Sequence, residues 1–126
     1  VALISIRGGK ILSTRSIGKD KYYIPGGKRE GNETNEQTLS REIWEELAVE
    51  IQPESIEYIG RFRAQADGYH KGITVKMTCY KADFRGIPKA SNEIEEIKWL
   101  NYQDVNKVSD VDKIIFEFLK LNGELK

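Results

Sequence analysis

Hydrophobic residues near the start of the chain fall in short runs that glycine and proline interrupt. Residues 1–7 and 10–14 have the composition of β-strands, and the Gly8-Gly9 pair between them is typical of a hairpin turn. Residues 22–24 form a third short hydrophobic run, which ends at Pro25-Gly26-Gly27. The pattern therefore predicts a β-hairpin, followed by a polar loop and a short strand.

The clearest helix follows these runs. Thr34 and Gln37 have the spacing of a capping box, in which each side chain bonds to the backbone of the other residue. Apolar residues then recur at every fourth position and form a stripe along one face of a helix: Leu39, Ile43 and Leu47. The spacing predicts an α-helix that starts at Thr34 and packs this stripe against a core.

Strand-like and helix-like patterns alternate over the rest of the chain. Residues 56–66 and 73–84 predict two long strands joined by a turn at Asp67-Gly68, and residues 94–100 predict another strand. The last hydrophobic residues have the spacing of an amphipathic helix: Val111, Ile114, Ile115, Phe118, Leu119 and Leu121. This order predicts an α/β (α+β) fold with helices packed on a mixed sheet, in a single domain over residues 1–126.

The composition is that of an ordinary globular protein, with 39% hydrophobic and 32% charged residues. No apolar run approaches the roughly 20 residues that cross a bilayer, so we expect no membrane partner. Cys79 is the only cysteine and lies in a strand-like run, which favours a buried structural thiol in a reducing cytoplasm. The formal net charge of +0 argues against binding to a nucleic-acid backbone.

This balanced charge conceals a strong asymmetry along the chain. Residues 1–32 contain seven basic and two acidic residues, whereas residues 33–57 contain eight acidic residues and Arg41 as their only basic one. Such a concentration of carboxylates indicates either a bound metal ion or a solvated acidic helix face. Charge counting alone does not separate these two interpretations.

Three of these acids have a more informative spacing. Glu42, Glu45 and Glu46 are spaced i, i+3 and i+4, so they share about one quadrant of the predicted helix, beside the apolar stripe. Carboxylate oxygens suit hard divalent cations such as Mg²⁺, and one Cys and one His leave little for a soft metal. The Gly26-Gly27 pair could supply a carbonyl ligand and admit an anion, or it could be only a turn.

The residues around this helix resemble the Nudix signature, Gly-x5-Glu-x7-Arg-Glu-U-x-Glu-Glu-x-Gly-U, in which U is aliphatic. The chain matches this pattern in register at Gly27, Glu33, Arg41, Glu42, Ile43, Glu45, Glu46 and Val49. One position departs from it, because Ala48 stands where the signature has glycine. Since glycine eases helix termination, we expect alanine to shift how the helix ends without removing a catalytic atom.

Similarity to this family implies an α/β/α sandwich, in which helices flank a mixed β-sheet, and a bound Mg²⁺ or Mn²⁺ ion. It implies a metal-binding set that consists of Gly26, Gly27, Glu42, Glu45 and Glu46, with one of the glycines contributing its carbonyl. Glu42 is also a candidate for the general base. Arg41 and Glu33 are implied as a pair that orients the helix carboxylates.

Many members of the family need one more carboxylate from outside the signature. Glu93 precedes the predicted strand 94–100 and stands six residues before Trp99, which resembles the placement of this acid in MutT-like members. Glu96 is the second choice, and both could instead be exposed charges at a strand edge. Trp99 and Trp44 are expected to pack in the core.

The resemblance also implies hydrolysis of the diphosphate linkage of a nucleotide-like small molecule. A (d)NTP cleaved to a nucleoside monophosphate and pyrophosphate is the first expectation, because the chain is close to a minimal Nudix core. ADP-ribose or another nucleoside diphosphate sugar is an alternative substrate, and a non-catalytic nucleotide sensor is the rival class. The oligomeric state implied is a monomer or a homodimer.

Several further residues are candidates for binding this substrate. Four basic residues could hold its phosphates or contribute only solubility: Arg7, Arg15, Lys28 and Arg29. Asp112 could recognise the base, although Asp110 or Asp112 could equally cap the last helix. The tyrosines that could stack on a base, or pack at the edge of the core, are Tyr22, Tyr23 and Tyr102. His70 is expected at the surface or at the edge of the substrate.

Overall fold

The computed structural model describes residues 1–65, 72 and 74–126. Within these residues the chain forms eight strands: β1 (Ala2–Ile4), β2 (Ile6–Arg7), β3 (Lys10–Ser16), β4 (Glu50–Ile51), β5 (Glu57–Gln65), β6 (Thr74–Lys81), β7 (Phe84–Arg85) and β8 (Ile94–Leu100). The helices are α1 (Asn35–Leu47), α2 (Asp110–Leu121) and two 3₁₀-helices at Pro53–Ser55 and Tyr102–Lys107. No helix in this part of the chain is long and apolar enough to cross a bilayer.

The described strands pair in two three-stranded sheets and one two-stranded sheet. In the first sheet, β6 is central and pairs in parallel with β1 and antiparallel with β5. In the second, β3 is central and pairs antiparallel with β2 and β8. The strand predicted over residues 1–7 divides at Ser5 into β1 and β2, so that each half joins a different sheet.

Side chains that alternate along the inner strands reach two hydrophobic clusters, one on each face. Leu3 packs with the buried stripe of α1, which consists of Leu39, Ile43 and Leu47. Its neighbours Ala2 and Ile4 pack in the other cluster with the buried face of α2, which includes Ile115, Phe116 and Leu119. A strand that is apolar at every position must be covered on both faces. The predicted arrangement of a mixed sheet flanked by helices is therefore confirmed.

The predicted capping box begins α1. The Gln37 backbone N–H donates to the Thr34 hydroxyl at 3.1 Å, and the Thr34 N–H donates to the Gln37 side-chain oxygen at 2.9 Å. Trp44, in contrast, is 60% exposed, so the expectation that it packs in the core is wrong. It follows the buried Ile43 by one position and therefore lies about 100° around the helix from the apolar stripe. Trp99 is partly buried against the α1 cluster, as expected.

Two other strand predictions differ from the structure. Residues 22–24 do not form a strand, since Tyr22 and Tyr23 make only isolated bridges. The strand predicted over residues 73–84 ends at Lys81, and the chain then forms β7, which pairs with β4. β4 and β7 are two residues long, too short to show a period in the sequence. The predicted turn at Asp67-Gly68, and His70, lie outside the described residues.

Cys79 is buried, as predicted. Burial is the main cause that raises the pKa of its thiol to about 12, and the negative charge of Asp112 adds to the shift. Because the thiolate is the reactive form, a thiol with this pKa is inert near neutral pH. Cys79 therefore has a packing role.

The helix α1 ends on Ala48 in the left-handed conformation, with φ 56° and ψ 35°. The Ala48 backbone N–H donates to the Trp44 carbonyl at 3.0 Å. Alanine thus occupies the helix terminus in the conformation that glycine favours, and the terminus stays at the position of the signature glycine. The Cβ atom makes this conformation unfavourable by roughly 1–2 kcal/mol.

Replacing Ala48 with glycine should raise the free energy of unfolding by about 1 kcal/mol, because glycine removes the Cβ clash but loses more chain entropy on folding. The melting temperature, measured by calorimetry, should rise by about 4 °C. Ala64→Gly in β5 is the matched control and should lower it, since glycine weakens a strand. A lower melting temperature for Ala48→Gly as well would contradict the argument.

Candidate functional site

The glycine loop lies directly against the acidic flank of α1. The Gly26 backbone N–H donates to Glu46 Oε1 at 3.1 Å. A Cβ atom placed on Gly27 would come within 2.6 Å of all three atoms of the Glu42 carboxyl group, so the bare backbone of Gly27 is in close contact with that group. The Gly27 N–H donates to the Val1 carbonyl at 2.9 Å, which holds the loop in place. The fold therefore brings both predicted glycines together with two of the predicted acids.

Arg41 connects the carboxylates of the site. Its guanidinium makes a two-point contact with Glu33, from Nε to Oε2 at 2.7 Å and from Nη2 to Oε1 at 3.0 Å. Nη1 donates to Glu42 Oε1 at 2.7 Å and to Glu45 at 3.4 Å. Nη2 also donates to the Lys28 carbonyl at 3.0 Å, which ties the helix to the glycine loop. Arg41 and Glu33 are thus placed to orient Glu42 and Glu45.

The Arg41–Glu33 pair is ionised at and around neutral pH. Hydrogen bonds from Arg41 lower the pKa of Glu33 to about 2, and the Glu30 backbone N–H acts in the same direction. The pKa of Arg41 is raised, chiefly by Glu33 and next by Glu42. A permanently charged pair of fixed geometry suits an orienting role.

The two acids beside the glycine loop ionise less readily than ordinary carboxyl groups. Burial raises the pKa of Glu46 to about 8, although the hydrogen bond from Gly26 opposes the shift. The negative charges of neighbouring carboxylates raise it further: Glu42, Glu93 and Glu45. Burial also raises the pKa of Glu42, against the effect of Arg41. Crowded carboxylates in a cleft take up either protons or cations.

Glu93 lies in the turn before β8, close enough to Glu42 and Glu46 for its charge to raise the pKa of both. Glu96 lies within β8, accepts a hydrogen bond from the Tyr22 hydroxyl and is 3.7 Å from Arg15. These contacts, Tyr22 first, lower the pKa of Glu96. The structure thus places Glu93 beside the helix acids and Glu96 in a separate polar network.

The donor atoms of this cluster fit a hard divalent cation. They are carboxylate oxygens with backbone carbonyls close by, the ligands that Mg²⁺ and Mn²⁺ prefer. Burial raises the pKa of Glu46 first and the charges of Glu42, Glu93 and Glu45 next, and a bound cation would offset both effects by stabilising the ionised carboxylate. Within residues 1–65, 72 and 74–126, no three carboxylate, imidazole or thiol groups already converge as a metal shell, and Glu42 and Glu45 contact Arg41. The ligand set Gly26, Gly27, Glu42, Glu45 and Glu46 stays a prediction.

A cavity of about 570 Å³ opens beside Glu46. Its apolar lining includes Ala2, Ile24, Val75 and Met77. Among the described residues, its charged lining consists of Glu46 and four basic residues, of which Lys28 and Arg29 were predicted and Lys19 and Lys76 were not. The sequence contained no signal for Lys76, because alternation along β6 does not show which residues face a cavity. Lys19 was one of two lysines in a polar loop.

The other two predicted arginines lie away from this cavity. The guanidinium carbon of Arg7 is 5.2 Å from the ring centroids of both Phe84 and Trp99. Arg7 lines a second cavity of about 700 Å³ that shares no lining residue with the first. Arg15 forms an ion pair with Glu95 at 2.7 Å. The structure therefore groups Lys28 and Arg29, but not Arg7 and Arg15, with the acids of α1.

Asp112 is fully buried in the first turn of α2 and accepts a hydrogen bond from the Ile24 backbone N–H at 2.8 Å. Because Ile24 lines the cavity, Asp112 lies directly behind the wall of the cavity. The residue that caps α2 is Ser109, whose hydroxyl accepts from the Asp112 N–H at 3.4 Å. The alternative that Asp110 or Asp112 caps this helix is wrong.

The three candidate tyrosines have different surroundings. Tyr23 lines the cavity beside Glu46. Tyr22 is buried, and its hydroxyl donates to Glu96. The Tyr102 hydroxyl donates to Glu117. Of the three, Tyr23 is the one placed to contact a ligand in this cavity.

Comparison with known proteins agrees with this geometry. The family model described as NUDIX domain matches residues 1–121. A MutT-like protein from Streptomyces ambofaciens is 25% identical over 99 residues, which cover 79% of this chain and 60% of that protein. The chain thus spans about 60% of the length of this curated relative.

Two solved structures resemble the fold closely. The solution structure of the E. coli ORF135 protein is 27% identical, with a TM-score of 0.73 over 96% of this chain and 87% of that one. The MutT NUDIX hydrolase from Burkholderia pseudomallei, at 21% identity, shares the fold with a TM-score of 0.72 over 92% of each chain. Because the family model covers nearly the whole sequence, the chain belongs to the NUDIX domain family.

Proposed function

We propose that this chain is a Mg²⁺-dependent pyrophosphohydrolase that acts as a single domain in the cytoplasm and cleaves the diphosphate linkage of a nucleotide-like small molecule. The observation that carries the proposal is a pair of half-buried acids, Glu42 and Glu46, with raised pKa, of which Glu46 lines the same cavity as Lys28 and Arg29. Acids that need a cation thus adjoin basic side chains that suit phosphate, as a metal-bound diphosphate requires.

Each side chain of the site has a role in this proposal. The residues that would hold the ion are Glu42, Glu45 and Glu46, with a carbonyl of Gly26 or Gly27. Bound Mg²⁺, or Mn²⁺ in its place, would neutralise charge on the phosphate oxygens and favour ionisation of a water. Arg41 and Glu33 orient the carboxylates of α1. Lys28 and Arg29 hold the phosphates, and Glu42 or Glu93 accepts a proton from the attacking water.

A nucleoside triphosphate, cleaved to a nucleoside monophosphate and pyrophosphate, is the substrate that we propose. Support comes from the lining of the cavity, which among the described residues includes four basic residues and a single acid, a balance of charge that suits several phosphates. The apolar part of the same lining, next to Tyr23, suits a nucleobase.

A substrate panel with Mg²⁺ tests this function. We expect the wild-type chain to release pyrophosphate from nucleoside triphosphates, and Glu45→Gln to lower kcat on the order of 100-fold, because it removes a negative metal ligand. Pyrophosphate and phosphate are measured by coupled assays. The matched control is Glu36→Gln, an exposed acid in the first turn of the same helix, which should leave kcat unchanged.

The other outcomes of the panel are equally clear. A preference for ADP-ribose or another nucleoside diphosphate sugar would overturn the proposed substrate and leave the chemistry intact. If the wild type and Glu45→Gln were equally inactive on all substrates, the proposed enzymatic activity would be wrong, and a nucleotide sensor would be favoured instead.

A further inference from the structure

A distant segment of the chain covers the last turn of α1. The Lys89 N–H donates to the Leu47 carbonyl at 2.8 Å, and the Ser91 N–H donates to the Glu46 carbonyl at 3.1 Å. The Asn92 side-chain Nδ2 donates to the Glu45 carbonyl at 2.6 Å. The last carbonyls of a helix have no partner within it, so this anchoring segment, residues 89–92, satisfies three of them. Two of the three belong to predicted metal ligands.

The anchoring segment leads directly into a tight turn that carries Glu93. The Ile94 N–H donates to the Ser91 carbonyl at 3.1 Å, so Asn92 and Glu93 are the central residues of the turn. Asn92 has a φ of 54°, a value that asparagine tolerates better than most residues. The Glu93 carbonyl accepts from the Ile17 N–H at 2.8 Å, which fixes the turn on its other side.

We propose that Asn92 is a positioning residue. The hydrogen bond from its side-chain amide to the Glu45 carbonyl holds the Glu93 carboxylate beside the acids of α1. The proposal rests on the proposed function, because it assigns Glu93 a part in that reaction. The Glu93 side chain is exposed, so its location depends on the backbone that carries it. The Asn92 side chain donates a hydrogen bond to the Glu45 carbonyl, and the Ser91 N–H donates to the Glu46 carbonyl, so the turn is attached to the two residues that present carboxylates to the site. The spacing between Glu93 and these acids is thereby set.

Asn92→Gly tests the bond without distorting the turn, because glycine adopts positive φ freely and lacks the amide. We expect kcat for the substrate found in the panel to fall about 10-fold with KM unchanged, as for loss of other supporting contacts. In a Glu93→Gln background the same replacement should change kcat less than about twofold. The carboxylate that Asn92 positions is already missing from that variant, so moving the side chain has little further effect on the reaction. Ile87→Ala, in the same connection and 81% exposed, should have no effect.

Equal losses from Asn92→Gly in both backgrounds would overturn the proposal, since they would show a general effect on structure. An unchanged kcat in Asn92→Gly would overturn it as well. Inactivity of the wild type on every substrate would overturn the proposed function instead. Amide hydrogen exchange then tests the anchor by itself: the Ile17 and Ser91 amides should exchange faster in Asn92→Gly, and wild-type rates would show that Asn92 does not hold the turn.

Discussion

Replacing Glu46 with glutamine should lower kcat on the order of 1000-fold and, at the same time, stabilise the metal-free protein at high pH. The loss of activity follows from its position, because Glu46 is the most strongly perturbed acid beside the cavity and has the Gly26 N–H on one oxygen. Glutamine keeps an oxygen for that hydrogen bond but removes the charge that would bind a cation. Steady-state assays with Mg²⁺ measure the effect, with Glu36→Gln as the control.

The gain in stability follows from the same buried charge. The pKa of Glu46 in the folded protein is about 8, above its ordinary value. A raised pKa means that the folded state holds the proton more tightly, so this contribution to stability is complete at acidic pH and is lost as the pH rises through 8. At pH 9 and in EDTA, Glu46→Gln should therefore be more stable than wild type by about 2 kcal/mol.

Urea unfolding at pH 5 and pH 9 measures this difference. The advantage of Glu46→Gln should appear only at pH 9, and added Mg²⁺ should reverse it, because the ion stabilises the wild-type folded state by binding to it. Equal stability of the two proteins at pH 9 in EDTA would show that the ionised Glu46 side chain does not destabilise the folded protein. Equal kcat values for wild type and Glu46→Gln would show that Glu46 is not part of the catalytic site.

The acidic cluster could be predicted because its spacing is local. The positions of Glu42, Glu45 and Glu46 follow from the period of one helix, and that helix was readable from its capping box and its apolar stripe. The contact of Gly27 with Glu42, and the bond of Arg41 to Glu33, lie within or next to the same stretch. Here the sequence and the geometry agree.

Features that depend on distant pairing could not be predicted from local patterns, and Glu93 was named as a site residue only through the family resemblance. Lys76 lines the cavity with residues from the start of the chain, and no local pattern shows which distant segments become neighbours. Asn92 bonds to a residue 47 positions away. Trp44 was expected to pack in the core, although its helical position places it on the exposed side. Long-range contacts and the face of a single bulky residue are therefore the parts that required the structure.

Replacing Gly27 with alanine should lower kcat on the order of 100-fold with little change in the folded structure, because misplacing a reacting group by 1 Å can have an effect of this size. The alanine Cβ would lie within 2.6 Å of the Glu42 carboxyl atoms, whereas an ordinary contact begins at about 3.4 Å. The obstacle is the end of a flexible side chain, so Glu42 should rotate away and the backbone should stay.

Gly26 and Gly60 make this prediction specific. Alanine at Gly26 would overlap the backbone of Val1 and Ala2, and the φ of 154° at Gly26 disfavours a side chain, so Gly26→Ala should destabilise the protein as a whole. Alanine at Gly60 would meet the Phe62 ring at an ordinary 3.4 Å and should leave kcat unchanged. Gly27→Ala should therefore lose activity while keeping a melting temperature near that of wild type. A large fall in that temperature, or an unchanged kcat, would mean that the contact between Gly27 and Glu42 does not set the geometry of the site.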